Sequence, residues 1–209
     1  MSKTITRLFD SHTEALAAIT DLEAAGIDRD RISLVSNNAD NWHAAHMHRG
    51  AKIDDGENET AEGAGKGAAA GSVLGGAGGL MAGLGMLAIP GLGPVVAAGW
   101  LVSTAAGAAI GAIAGGATVG LLGALKDAGH SDEEANVYAE GVRRGGTLVS
   151  VRVDDGDEAD AQRILDGRGA DAMARMDIYR EDGWAGFDES AEPYTPAQIQ
   201  VERERYRAL

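Results

Sequence analysis

The chain has no cysteine, which removes disulfides, thiolate nucleophiles and thiolate metal sites together and fits a reducing compartment. Aromatic residues are scarce, with three Trp, four Tyr and two Phe among 209 residues. A core without bulky rings buries little area per side chain, so close backbone packing has to replace it. Positive charge is also short: Lys+Arg number 18 against 32 Asp+Glu, for a formal net charge of -14. Such a field repels phosphate backbones, and no basic stripe interleaved with aromatics occurs, so nucleic acid is not an expected partner. Residues 1–10 carry no apolar run of signal-peptide length.

Catalytic and cofactor motifs are missing too. No nucleophile elbow occurs. The run Gly63–Gly67 lacks the Lys-Ser/Thr ending of a phosphate loop and follows an acidic linker rather than a strand. The acidic run Asp154–Glu158 lacks the spaced ligands of a calcium loop and reads as a turn with an acidic helix start. The expectation is a non-enzymatic protein without a cofactor. One metal candidate exists, the histidines His43, His46 and His48, since three imidazoles within six residues could hold a divalent metal. They sit in a polar linker with no distant ligand set.

What the chain has in abundance is glycine, 31 residues of it, and the glycines are in phase. Between Gly67 and Leu125 no residue is charged. On the first part Gly63, Gly67, Gly71, Gly75, Gly79 and Gly83 recur at every fourth position; on the second Gly99, Ser103, Gly107, Gly111 and Gly115 keep that step. Residues four apart stack along one face of a helix, so each arm would carry a smooth ridge suited to close helix packing. Each glycine costs ~1 kcal/mol against alanine in a helix, so neither arm would be helical alone in water. The run is interrupted at Pro90, Gly91, Gly93 and Pro94, which predicts the turn of a helical hairpin. Its arms, residues 67–89 and 95–125, would reach about 35 and 47 Å. Both exceed the ~30 Å hydrocarbon core of a bilayer. Two placements follow: a membrane hairpin with both ends on the cytoplasmic side, or burial between subunits of a water-soluble homo-oligomer.

Around this insertion two similar halves are expected. Residues 1–38 read as strand (Thr4–Phe9), helix and strand (Ile32–Ser36), the helix opened by a capping box Ser11 to Glu14 and closed by Gly26. Residues 39–62 form an acidic linker, 63–126 the glycine-zipper hairpin, 127–179 a helix with the second half, and 180–209 a C-terminal tail. In the second half Ser131–Glu134 is another capping box, Thr147 to Val153 alternate as a strand, Glu158–Asp166 reads as a helix, and Ala172 to Ile178 alternate as a last strand. With the insertion removed the order is β-α-β, β-α-β. The fold class expected is α+β, a ferredoxin-like split βαβ domain interrupted by a Gly/Ala-rich helical hairpin. One sheet face carries two helices, and the helix at 131–144 or a second subunit would cover the other. The tail aromatics Trp184, Phe187 and Tyr194 leave two readings open, a mobile terminus or a strap docked on a groove, with a neighbouring subunit one place for that groove.

Two stretches carry a family resemblance: residues 8–10, 15, 22, 25–27 and 32–35, and residues 129–131, 134–135, 138, 141 and 145–151. Over roughly residues 3–178 the chain resembles the bacterial general stress (heat-induced or low-temperature-induced) protein domain family. The resemblance implies a stress-linked role and supplies no catalytic residues. With the zipper, the function expected is self-assembly and membrane association; small-ligand sensing by a ferredoxin-like module is the alternative. The expected partners are copies of the chain and membrane lipid, placing it at the cytoplasmic side of the inner membrane, or in the cytoplasm if the hairpin is buried in an oligomer.

Overall fold

A computed structural model describes residues 3–40, 85–89, 91–101 and 120–207. Among these residues five strands form one antiparallel sheet: β1 (Lys3–Phe9), β2 (Ile32–Asn37), β3 (Gly85–Ile89), β4 (Gly93–Ala98) and β5 (Thr147–Val153), in the order β1-β5-β2-β4-β3. The α-helices that accompany them are α1 (His12–Ala24), α2 (Leu121–Asp127), α3 (Asp132–Arg143), α4 (Glu158–Asp166), α5 (Ala172–Glu181) and α6 (Pro196–Arg207). The class is α+β.

The centre of the sheet comes from the two halves together. β1 and β2 run parallel through α1, and β5 enters between them, antiparallel to both, with Ile5 and Ile32 each opposite Val151. Alternation then sorts side chains to two faces. Val149, Val151, Val153, Leu34 and Phe9 meet Ala15, Ile19 and Leu22 of α1 and Ala161 and Leu165 of α4. Leu8, Val35, Val95 and Leu148 meet α2, α3 and α5. The second face is therefore covered from within the chain, and α3, the helix expected at 131–144, is part of that cover. An open sheet face does not supply a reason to dimerise.

Two expectations are corrected. Residues 172–178 form not a strand but α5. Asp171 caps it by accepting from the Ala174 amide at 2.8 Å, and Ala172, Met176 and Tyr179, spaced four and three apart, all point inward. Just before α5, outside the expected strand, Leu8 and Ala170 form an isolated bridge by exchanging two backbone hydrogen bonds of 2.8 Å. The second correction concerns the hairpin, which is β and not helical between Gly85 and Ala98. Residues Gly91 and Gly93 turn with φ of 74° and 79°, and Pro94 lies in β4 opposite Ala88. β-branched Val95 and Val96 are fully buried and favour the pleated surface. β4 pairs with β2, so the turn belongs to the sheet and is not the distant tip of a membrane hairpin. Neither expected arm is a single helix over its whole length.

Gly99 is corrected with it. It lies at the end of β4 with φ of 88°, where a Cβ would stand 2.8 Å from Ser33 Cα and overlap the Ile32 carbonyl. It serves a close backbone approach rather than a helix ridge. Gly63, Gly67, Gly71, Gly75, Gly79, Gly83, Ser103, Gly107, Gly111 and Gly115 lie outside the described residues, as do Pro90 and His43, His46 and His48.

Candidate functional site: a polar network beneath the C-terminal helix

His12 opens α1 and shares its buried face with Ala15, Ile19 and Leu22. That face places the imidazole at the end of the sheet where β2 stops and β5 begins. Its Nδ1 lies 2.7 Å from both Ser36 Oγ of β2 and Thr147 Oγ1 of β5, and the two hydroxyls are 2.8 Å apart. Its Nε2 faces Arg203 Nη2 of α6 at 2.8 Å. A guanidinium only donates, so Nε2 must accept and the ring proton sits on Nδ1, donated to the hydroxyls. Arg203 also donates from Nε to the Gly145 carbonyl at 3.0 Å and from Nη1 to Asp40. Asp40 Oδ2 stands 4.0 Å from His12 Nε2. Every member except Asp40 is buried.

A serine beside an imidazole is the contact of a nucleophile and its base. Here Ser36 has no exposed surface, and the second ring nitrogen is occupied by a cation. The arrangement fixes neighbouring elements.

A second network holds the same helix. Arg144 donates to Glu140 Oε1 at 2.8 Å, Asp182 Oδ2 at 2.9 Å, Glu202 Oε2 at 3.2 Å and Tyr206 Oη at 3.2 Å. Its guanidinium lies 4.4 Å from the centre of the Tyr179 ring. Arg175 pairs with Asp10 and stacks over Tyr206. Burial raises the pKa of Tyr179 and of Tyr206, and hydrogen bonds from Arg205 and then Arg144 lower that of Asp182. The helix thus rests on Ile199, Tyr206 and a set of partly buried ion pairs. Before it, the tail crosses the hairpin turn: a Cβ on Gly91 would meet the Asp188 carbonyl at 2.8 Å, and one on Gly93 would meet Pro193 at 2.8 Å. Phe187 donates its amide to Asn136, and Arg143 lies over Tyr194. The tail aromatics do form a strap, docked on their own chain.

Sequence reasoning misses His12, Ser36, Thr147 and Arg203 as a group. One signal is legible: His12 is in helical phase with Ala15, Ile19 and Leu22, so its ring faces inward. Another is Thr195 to Gln198, a capping box with Pro196 at the first helical position. Its reciprocal bonds are present, Thr195 N to Gln198 Oε1 at 2.9 Å and Gln198 N to Thr195 Oγ1 at 3.4 Å.

The other described histidine, His130, is half of a separate contact. Thr6 Oγ1 donates to Ser150 Oγ at 2.9 Å, so it accepts from His130 Nε2, 2.7 Å away. Burial lowers the His130 pKa from 6.5, partly offset by Glu134. Tyr138, which donates to the Thr6 carbonyl, is pushed up to about 12 by burial.

Among the described residues no group of three or more metal-ligating side chains occurs, and no helix is long and apolar enough to cross a membrane. The groove beside the network, about 380 Å³ and lined by Asp10, Ser11, Glu14 and Tyr206, is acidic. Comparison with models of protein families, with curated proteins and with solved structures gave no match.

Proposed function

We propose that the chain is a non-enzymatic association protein, a ferredoxin-like split βαβ domain whose Gly/Ala-rich segments join copies of it together. One observation supports this best. Gly85 lies opposite Ala97 in the β3–β4 pair, so the chain arriving from residues 67–84 and the chain departing into 102–119 meet the domain at one end of one hairpin. Adjacent antiparallel strands are ~5 Å apart. The two uncharged, glycine-phased stretches of sequence are thus joined through one hairpin, and their four-residue step is the spacing that close small-residue packing uses. The single bridge at Ala170, on the outer edge of β1, stands where the fourth strand of a ferredoxin-like sheet would lie. The resemblance to the general stress protein family adds a stress-linked setting.

Association with lipid is the second reading, favoured by the absence of charge from Gly67 to Leu125. Trp100 and Lys126 do not favour it. Trp100 donates to the Arg31 carbonyl at 3.0 Å and lies under Arg152, while Lys126 pairs with Asp132 at 2.5 Å.

Light scattering of the purified chain is the test. An oligomer in detergent-free buffer that falls to monomer on replacing Gly71, Gly75 and Gly79 by Leu supports self-assembly. A monomeric wild type overturns it. Retention on membranes through carbonate washing would instead place the segments in lipid, because salt does not screen apolar insertion.

A further inference from the structure

We propose that α6 is an acid-released latch: protonation of His12 displaces Arg203 and lets the C-terminal helix leave the end of the sheet. The inference does not depend on how copies associate.

Of the contacts that hold α6, one hydrogen bond exists in a single protonation state of His12. His12 Nε2 accepts from Arg203 Nη2 at 2.8 Å. A proton placed on Nε2 removes that acceptor and sets a second cation against the guanidinium. Among the described residues, the charged groups nearby are already committed. Asp40, at the exit of β2, takes Arg203 Nη1 and is 4.0 Å from Nε2, so one carboxylate would have to serve two buried cations. Asp10, just before α1, is held by Arg175 of α5. Glu202 of α6 is held by Arg144 at the end of α3. Glu14 of α1 lines the outer groove with Asp10 and Tyr206. Ser36 of β2, Thr147 of β5 and the Gly145 carbonyl are neutral. His12 is also the first residue of α1, the positive end of the helix dipole, which further opposes an imidazolium there.

One of the two cations has to move, and the fold decides which. α1 is packed along the sheet by Ala15, Ala18, Ile19 and Leu22, each fully buried, whereas α6, among its described side chains, buries Ile199, Arg203 and Tyr206. Arg203 therefore leaves, and α6 goes with it. Release uncovers the seat of Ile199 against Gly145 and loosens Asp40, where the chain leaves β2.

The absence of cysteine allows one reporter. Val201, 64 % exposed on α6, is replaced by Cys in the full chain and spin-labelled, and label mobility is followed from pH 8 to pH 5. The mobile fraction should be small at pH 8 and grow by up to about tenfold per pH unit below ~6.5, the limit for one linked proton. His12→Gln, whose amide can accept from Arg203 and donate to Ser36, should abolish the growth, whereas His130→Gln should keep it. If His12→Gln fails to fold, Asp40→Asn decides, because loss of the shared carboxylate should move release to higher pH. A label immobile at pH 5, the same transition in His12→Gln, or an unmoved transition in Asp40→Asn would overturn the proposal.

Discussion

At the scale of the residue, two glycines share a backbone conformation and differ in what surrounds them. Gly26 has φ of 92° and nothing within 4 Å of where a methyl group would stand, whereas Gly99, at 88°, faces the backbone of Ile32 and Ser33. Alanine at position 26 incurs only the strain of the left-handed conformation, about 1 kcal/mol. Alanine at position 99 adds a backbone clash and should cost upward of ~3 kcal/mol. Urea unfolding of the two variants checks this, and equal losses would contradict it. The same glycine shows what regular spacing conceals. Its place in a four-residue series predicts a helix ridge, but its role is set by Ile32, a contact distant in sequence.

His130 carries a pH dependence of defined sign. Its folded pKa lies below the ordinary 6.5 because burial disfavours the charged ring. The unfolded chain therefore binds the proton first on acidification. The contribution to stability is complete above ~6.5 and is lost as pH falls from there through the folded pKa. Replacing His130 by Gln should flatten that part of the stability curve, measured by denaturant titration between pH 7.5 and pH 5.

At the scale of the element, capping distinguishes two helices that look alike in sequence. Ser131 has both bonds of a capping box, its hydroxyl accepting from Glu134 N at 3.2 Å and Glu134 accepting from Ser131 N at 2.8 Å. Ser11, with the same Ser-x-x-Glu pattern, makes no side-chain cap bond. Ser131→Ala should therefore cost ~1 kcal/mol and Ser11→Ala only a few tenths; thermal melts of the pair would show it. The boundaries of β1, β2, α3, β5 and α4 are legible to within a residue or so because their apolar periods are strict and their stops are marked. α5 escapes such reading because alternate Ala172, Ala174, Met176 and Ile178 mimic a strand, while the helical triplet of Ala172, Met176 and Tyr179 with its Asp171 cap is the fainter pattern. The β3–β4 hairpin is hidden because its missing charge, shared with the glycine-phased flanks, masks the Val95 and Val96 signal and the Pro/Gly turn.

At the scale of the whole molecule, the last two dozen residues close the structure. Ile199 and Tyr206 of α6 are buried, and the strap seats Phe187 and Pro193 against the hairpin turn. Truncation before Trp184 should cost at least about 3 kcal/mol from the apolar contacts alone. It should lower Tm by roughly 6–12 °C for a chain of this size. The candidate site is not readable from sequence because its members lie in separate stretches, at His12, Ser36, Asp40, Thr147 and Arg203. Only the topology that inserts β5 beside β2 brings them to one end of the sheet.

The place of the β3–β4 hairpin in the sequence, between the two Gly/Ala-rich stretches, has a mechanical consequence. Tension drawn along them pulls β3 and β4 lengthwise from one end. Because ladder hydrogen bonds lie across the strands, such a pull loads the β2–β4 pairs from Leu34–Ala98 to Asn37–Val95 together rather than one after another. At the far end the turn at Gly91 and Gly93 is hooked beneath the strap. A pull on the segments is thereby carried in shear across the sheet and passed to the C-terminal tail, so the domain would hold under tension that would peel open a hairpin gripped across its strands.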